Sequence, residues 1–244
     1  SWSRYPEIAM TLDFLRDLEP AARGLDLGSP KMMSLYLSAQ NDIHIQATDI
    51  WPTALEEVGV LIDCNKDQFR GDITLSIADA TDLNGYETGS QDFVYSTSVL
   101  EHIEDFENVL VALGEISRVM KKGGTFVMSS PVVPEYRAAY TSQSTIYKEK
   151  YEGKPLFFSH YFDIGHVSRM IGALDEFDIV SSGYIRWNRI WLRKMWMAVP
   201  QKIRGLLGIL NPFISPLLTV SAPVTLTHNW LVAEGDLVLK LIKK

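Results

Sequence analysis

The sequence predicts an α/β fold in which helices cover both faces of a mostly parallel sheet. Segments with strand character and segments with helix character alternate five times between residues 5 and 130, with short connections. This alternation is typical of parallel sheets, because a crossover has to return the chain to the same edge. The length of 244 residues and the hydrophobic content of 46% suit one domain with a substantial core.

The elements are predicted from local patterns, in chain order. Strands are predicted at residues 23–27, 43–48, 73–78, 92–95, 125–130, 177–185 and 236–242, and helices at 5–19, 31–39, 52–60, 106–120 and 163–174. The helix at 106–120 is the clearest, since its apolar residues recur at helical spacing. Lys121 and Lys122 would complement the dipole in its last turn, and Gly123 would end it.

The regular alternation stops after residue 131. Residues 131–158 are polar, aromatic and irregular in pattern. Further on, no Asp or Glu occurs from Ile179 to Ala233, while six basic residues fall there. This second segment therefore differs in character from the acidic remainder of the chain.

Charge and cysteine content exclude several classes of protein. The net charge of -7 gives no electrostatic case for nucleic-acid binding. Cys64 is the only cysteine, which excludes an intramolecular disulfide and a cysteine-based metal cluster and suits a reducing compartment. No group of His and carboxylate residues has metal-ligand spacing, so we predict no metal. The reducing compartment that the single cysteine suits favours a cytoplasmic location, which a membrane contact would make peripheral to the membrane.

The ends of the first two predicted strands suggest a nucleoside site. Ligands of open α/β sheets bind at the carboxyl ends of the strands. Gly28 lies where a tight turn must leave the first strand, and Asp49 ends the second, where a carboxylate can accept hydrogen bonds from ribose hydroxyls. The two further glycines of a dinucleotide loop are missing after Gly28, which argues against a pyrophosphate cofactor.

Five motifs within residues 20–130 resemble class I S-adenosylmethionine-dependent methyltransferases, and the type 11 methyltransferases most closely. The motifs are Gly-Leu-Asp-Leu-Gly-Ser at 24–29, the acid Asp49, Ala-Asp-Ala at 78–80, the stretch 91–103 after the fourth strand, and the turn 118–126 into the fifth. One position departs from the family pattern, because Pro30 stands where a second glycine is usual.

The resemblance implies the fold, the cofactor and the residues that bind it. It implies a Rossmann-like sheet of seven strands whose last strand is antiparallel and lies next to the sixth. It also implies one methyltransferase domain over residues 1–244, with a covering insertion at about 131–162 and a hydrophobic and basic excursion at about 187–229. The implied cofactor is S-adenosyl-L-methionine, with Asp49 on the ribose and Asp79 on the adenine amino group. The expected cofactor-binding residues are Asp26, Gly28, Ser29, Asp49, Ile50, Asp79, Ala80, Ser96 and Thr97.

Methyl transfer to oxygen or nitrogen can require a base near the cofactor. His102 follows the fourth strand, and His160 lies in an aromatic run that would cover the cleft, so both are candidate catalytic bases. His166 is a third candidate base, and Tyr136 and Tyr161 are candidate positioning groups.

The basic segment at 186–220 suggests a further contact surface. Arg186, Arg189 and Arg193 would share one helix face and Trp187 and Trp191 another, as in helices that lie on a membrane. A hydrophobic lid over the cleft or a homodimer interface is the alternative. A membrane contact would favour a lipid or lipid-linked acceptor.

Three functions remain distinguishable from the sequence. The first is methyl transfer to a small-molecule, lipid or glycan acceptor. The second is a non-catalytic relative that binds the cofactor and acts as a binding or scaffold protein, which Pro30 in the first loop favours. The third, a nicotinamide-dependent oxidoreductase, is opposed by the missing glycines.

Overall fold

A computed structural model describes residues 4–142, 153–187, 219–223 and 233–244, together with positions 195, 198 and 199. The helices are α1 (Arg4–Phe14), α2 (Met32–Gln40), α3 (Pro52–Cys64), α4 (Phe106–Val119) and α5 (Ile164–Gly172). The strands are β1 (Arg23–Leu27), β2 (His44–Asp49), β3 (Asp72–Ile77), β4 (Gln91–Thr97), β5 (Met120–Val132), β6 (Arg137–Thr141), β7 (Leu156–Tyr161), β8 (Phe177–Trp187), β9 (Thr219–Pro223) and β10 (Gly235–Lys243). A short 3₁₀ helix (Leu100–His102) follows β4.

The described strands form one large sheet in the order β3-β2-β1-β4-β5-β10-β8-β9. Strands β1 to β5 are parallel, and β10 runs antiparallel between β5 and β8. The mostly parallel α/β fold and the antiparallel last strand are thereby confirmed. The predicted number of seven strands is wrong, because β9 pairs with β8 and makes eight.

Each face of the sheet carries its own apolar core, which fixes the strand ends where the cavity lies. On one face, Val109 and Ile116 of α4 are fully buried in a cluster that includes Phe126 of β5. On the other face, Met33 of α2 is buried in a cluster with Phe93 of β4. Burial of such side chains contributes about 1.5–3 kcal/mol each, so the sheet is a rigid platform.

Three element boundaries differ from the predicted ones. Helix α1 ends at Phe14, five residues before the predicted end at residue 19. Lys121 lies in β5 rather than in the last turn of α4, because Met120 already pairs with Gln91 of β4. Within the segment predicted to be irregular, β6 and β7 form an antiparallel hairpin.

The predicted excursion at 187–229 is described only in part. Trp187 ends β8, and residues 219–223 form β9. Apart from positions 195, 198 and 199, its other residues lie outside the described part of the chain, as does most of the predicted basic contact segment at 186–220. Among the described residues, no helix combines the length and the apolar character needed to cross a membrane.

Candidate active site

A cavity of about 450 Å³ lies at the carboxyl ends of the parallel strands. The segments that follow β1, β2, β3 and β4 form its floor and sides, and residues 155–158 at the start of β7 form another wall. This is the edge of an open α/β sheet where ligands bind, and the volume falls in the range of small-molecule sites. The hairpin therefore covers the site that the strand ends create.

Two carboxylates from neighbouring strands line this cavity, Asp49 at the end of β2 and Asp79 after β3. Oδ1 of Asp49 accepts the Trp51 N–H at 3.0 Å, and Oδ1 of Asp79 accepts the Thr81 N–H at 2.8 Å. Oδ2 of each carboxylate receives no hydrogen bond from the part of the chain that the structure describes. Two acceptor oxygens thus remain available on one side of the cavity.

Gly28 forms the turn out of β1 and lines the same cavity. Its φ of 67° lies in the left-handed region, and an added Cβ would come within 2.8 Å of Val99 Cγ1. Both features require glycine at this position. Because Gly28 has no side chain, its backbone lies directly at the cavity surface. Ile50 and Ala80 also line the cavity, and Ile50 is 52% exposed there.

Asp26 and Ser29 lie beneath the cavity and do not line it. Asp26 is fully buried, and its carboxylate accepts the Ser29 N–H at 2.9 Å and the Ser34 hydroxyl at 2.6 Å. The buried ammonium of Lys31 lies 3.3 Å from Asp26 and donates to the Ser29 carbonyl at 2.8 Å. This network fixes the loop after β1 from below.

Ser96 and Thr97 are also buried, at the end of β4, outside the cavity lining. The Thr97 N–H donates to Ser29 Oγ at 2.9 Å and so ties β4 to the loop after β1. The hydroxyls of Ser96 and Thr97 have no hydrogen-bond partner among the described residues. The structure therefore separates the predicted cofactor residues into cavity-lining ones and ones that support the loops below.

His102 lines the cavity and contacts its covering wall. Its Nδ1 lies 2.6 Å from the Phe158 carbonyl oxygen, and its ring meets the Phe158 ring edge-on at 5.5 Å. Burial lowers the pKa of His102 below its ordinary value, and the nearby Arg4 lowers that pKa further. The imidazole is therefore neutral at neutral pH and donates from Nδ1 to the cover.

His160 is buried behind the covering wall and does not line the cavity. Its Nδ1 lies 2.9 Å from the Tyr136 hydroxyl, and Tyr136 stacks on His166 with ring centroids 4.0 Å apart. Burial lowers the pKa of His160. Tyr161 lies under the Arg137 guanidinium, 4.3 Å from its ring centroid. Tyr136 and His166 thus join His160 of β7 to α5, whereas the contact between Arg137 and Tyr161 lies within the hairpin. Both sets of contacts lie outside the cavity lining.

Three residues of this region were not among the predicted site residues, although Ser98 and Glu101 lie in the stretch 91–103 that resembles the family. Ser98 lines the cavity with a φ of 52°, and Glu7 and Glu101 are buried carboxyl groups that are 2% and 3% exposed. Glu7 lies 91 residues before Ser98, its hydrogen-bond partner, so only the folded chain brings them together. In the described ranges, no three His, Cys, Asp or Glu residues group as a metal site.

The sequence and the fold both match known methyltransferases. Residues 25–128 match the sequence model of a type 11 family described as a methyltransferase domain. No curated protein matches the sequence. The matched segment runs from β1 into β5 and therefore contains all of the strand ends that form the floor of the cavity.

Three solved structures illustrate the fold likeness. A Methanosarcina mazei S-adenosylmethionine-dependent methyltransferase has a TM-score of 0.60 and 14% identity, over 95% of this chain and 96% of that chain. The Streptomyces coelicolor geranyl diphosphate C-methyltransferase has a TM-score of 0.61 and 9% identity, over 99% and 79% of the two chains. The [4+2]-cyclase SpnF has a TM-score of 0.61 and 16% identity, over 98% and 80%.

The family match covers the segment that builds the cavity, and the structural likeness extends over nearly the whole chain. Residues 25–128 therefore carry a methyltransferase domain, in a chain that has the fold of S-adenosylmethionine-dependent methyltransferases, and these matches support S-adenosylmethionine as the cofactor.

Proposed function

We propose that the protein transfers a methyl group from S-adenosylmethionine to a small-molecule acceptor, either free or attached to a lipid or glycan. The observation that carries this proposal is a single cavity with two carboxylates on one side and an aromatic cover on the other. The carboxylates suit the polar nucleoside, and the apolar cover suits the acceptor end. A cavity of about 450 Å³ favours an acceptor that enters it as a small group.

The residues at the strand ends fit the nucleoside part of the cofactor. Asp49 would accept hydrogen bonds from the ribose hydroxyls, and Asp79 one from the adenine amino group, through the oxygens that the chain leaves available. Ile50 and Ala80 would pack against the base, and the turn at Gly28 would allow close approach. Bound S-adenosylmethionine supplies an electrophilic methyl group on a positively charged sulfur.

The covering strand β7 would exclude water from the reacting groups. Leu156, Phe157 and Phe158 line the cavity, and His102 holds this cover through the Phe158 carbonyl. In a methyl transfer the protein chiefly aligns the nucleophile with the methyl group and keeps competing water out. The apolar cover is consistent with that requirement.

The proposal is tested by incubating the protein with methyl-labelled S-adenosylmethionine and separated lipid, glycan and soluble extracts of cells. We expect label in one fraction, and we expect Asp49→Asn to weaken cofactor binding by about 10- to 100-fold in calorimetry, since one charge-assisted hydrogen bond contributes about 1.5–3 kcal/mol. Glu176→Gln, a change at an exposed carboxylate elsewhere, is the matched control. Unlabelled fractions together with normal cofactor binding would contradict methyl transfer.

A second candidate function is cofactor binding without methyl transfer. Two observations favour it: Pro30 stands in the loop after β1 where a second glycine is usual, and the similar structure of SpnF is that of a [4+2]-cyclase. This fold can therefore support another reaction. Saturable binding of S-adenosylmethionine, with no label transferred to any extract, would support this second function.

Membrane association of the segment at 186–220 stays a prediction from its basic, acid-free composition. Flotation with anionic phosphatidylserine vesicles and with neutral phosphatidylcholine vesicles tests it. Binding to the anionic vesicles alone, together with label in the lipid fraction, would identify a lipid-linked acceptor. Sedimentation equilibrium on the same sample tests the predicted homodimer.

A further inference from the structure

A buried carboxylate stands directly behind one wall of the cavity. Glu7 of α1 is 2% exposed, and its Oε1 accepts the Ser98 hydroxyl at 2.5 Å and the Ser129 hydroxyl at 2.6 Å. Its Oε2 accepts from Arg4 at 3.3 Å. Ser98 itself lines the cavity, so one hydroxyl joins the cavity to the buried Glu7.

The direction of these hydrogen bonds determines what Ser98 can offer to a ligand. A carboxylate has only acceptor oxygens, so the hydroxyl protons of Ser98 and Ser129 both point to Glu7. Ser129 Oγ also accepts the Ser98 N–H at 3.0 Å. The Ser98 oxygen is then left with lone pairs for the cavity, and it can accept a hydrogen bond but not donate one.

The backbone of Ser98 is held in an unfavourable conformation at this point. Its φ of 52° lies in the left-handed region, which non-glycine residues rarely adopt. Glu7 and Ser129 hold Ser98 in place through its hydroxyl and its N–H. Strain that is maintained beside a cavity commonly serves to orient a side chain.

Glu7 lies close to other ionisable groups. Glu7 and Asp236 both act electrostatically on Glu101 of the 3₁₀ helix, and Arg4 pairs with Glu7 on its own helix. Burial, and to a smaller extent Glu7, raises the pKa of Glu101 to about 8. Glu101 is therefore protonated at neutral pH, which leaves Glu7, hydrogen-bonded to Ser98, as the carboxyl group that can receive a proton there.

We propose that Ser98 binds the nucleophile of the acceptor and that Glu7 takes up its proton, so that the acceptor is a compound with a reactive N–H or O–H group. This inference rests on the proposed methyl transfer. The nucleophile forms its new bond to the methyl carbon with its lone pair, and the electrons of the broken carbon–sulfur bond stay on the sulfur. The nucleophile's proton passes to Ser98 Oγ as the Ser98 proton passes to Glu7 Oε1.

The charge of Glu7 can be tested without any acceptor. An infrared difference spectrum between wild type and Glu7→Gln at pH 7 should show the loss of a carboxylate band. Loss of a protonated carboxyl band instead would overturn the inference, because Glu7 could not then receive a proton. Glu176→Gln, which removes an exposed carboxylate that also accepts a serine hydroxyl, provides the reference spectrum.

The proton path is tested on the extract fraction that wild-type protein labels. Glu7→Gln keeps an oxygen that accepts both serine hydroxyls, so cofactor affinity in calorimetry should not change. We expect the turnover number to fall about 100-fold, and the decline in rate at acidic pH to disappear with the base. Ser98→Gly, which adopts the same φ without strain, should show a comparable loss if Glu7→Gln fails to fold.

Three outcomes contradict the inference while leaving methyl transfer intact. The first is wild-type turnover in Glu7→Gln. The second is disappearance of the acidic decline in His102→Gln, which would make the imidazole the base. The third is a labelled product whose methyl group is bonded to carbon or sulfur by carbon-13 NMR. If wild type labels no fraction, the proposed function fails, and the infrared spectrum alone decides whether Glu7 can accept a proton.

Discussion

The acidic residues around the cavity fall into two sets with opposite surroundings. The cavity acids, Asp49 and Asp79, are partly or fully exposed and each keeps one oxygen available within the described structure. The buried acids, Asp26, Glu7 and Glu101, are at most 3% exposed. Carboxylates at the cavity surface remain hydrated and can exchange water for a ligand, whereas buried ones must be paired, hydrogen-bonded or protonated.

This difference in exposure separates the acids that can bind a ligand from the acids that support the fold. A substitution of a cavity acid should change ligand affinity and leave the fold intact. A substitution of a buried acid should change stability, because its partners would lose a buried hydrogen bond or countercharge. Five substitutions test the comparison and the contact between the cavity and its cover, in order of expected effect on the free energy of unfolding.

Asp26→Ala should have the largest effect on stability. It leaves the Lys31 ammonium buried without its carboxylate and removes the acceptor for Ser34. Breaking a buried pair in this way typically costs about 3–5 kcal/mol, which urea denaturation would measure. Glu107→Ala, which breaks the exposed ion pair with Arg169, is the control and should cost less than about 1 kcal/mol. Equal losses in the two variants would show that burial of the acid is irrelevant.

Glu101→Gln should alter the pH dependence of stability. The folded-state pKa of Glu101 is raised to about 8. The contribution of Glu101 to the stability of the wild-type protein is therefore greatest below its ordinary pKa of 4.5. That contribution is lost as the pH rises from the ordinary pKa of 4.5 through the folded value of about 8. At pH 9 the neutral glutamine should be more stable than wild type by on the order of 2 kcal/mol.

Denaturation of both proteins at several pH values between 5 and 9 measures this difference. The advantage of Glu101→Gln should grow with pH and vanish near pH 5. A difference that does not change with pH would mean that Glu101 is already ionised in the folded protein at neutral pH. In that case its unpartnered Oε2 would need a countercharge from elsewhere.

The sequence predicted the cavity acids and missed two of the buried ones for a physical reason. Asp49 follows an alternating strand, so its place at the carboxyl edge of the sheet depends only on local pattern. Glu7 depends on contacts with Ser98 and Ser129, which are 91 and 122 residues away along the chain. Nothing in the residues next to Glu7 distinguishes it from a glutamate on the solvent face of a helix.

The same distinction explains which parts of the fold were predicted. Strand β1 was predicted at its observed bounds, because its apolar run is short and bounded by turn residues. The end of α4 was misplaced, since long-range pairing of Met120 with Gln91 and the 2.7 Å bond from Lys121 to Asp92 decide it. Among the described strands, β9 lies at the sheet edge and pairs with β8 alone, so its formation also depends on a distant partner.

His102→Ala tests the contact between the cavity and its cover, with an expected loss of about 1 kcal/mol for one hydrogen bond. The pKa of His102 is lowered in the folded protein, so its contribution to stability is present above the ordinary value and declines as the pH falls toward the lowered one. The protection factors of the amides at residues 155–161, which correct for the slower intrinsic exchange at acidic pH, should therefore be lower at pH 5 than at pH 7, and lower in the variant at both. Unchanged exchange in the variant would show that other contacts hold the cover.

Asp49→Asn and Asp79→Asn should have the smallest effect on the empty protein, within about 0.5 kcal/mol of wild type for surface positions. Asparagine keeps an oxygen for the Trp51 or Thr81 N–H, so each turn is retained. Bound cofactor should make these variants differ from wild type. A ligand at 100 times its dissociation constant stabilises the folded state by about 2.7 kcal/mol. Urea denaturation of both variants with S-adenosylmethionine should show that this gain is reduced or lost. If either variant is destabilised without the cofactor as strongly as Asp26→Ala, the cavity acids are structural and the division between the two sets is wrong.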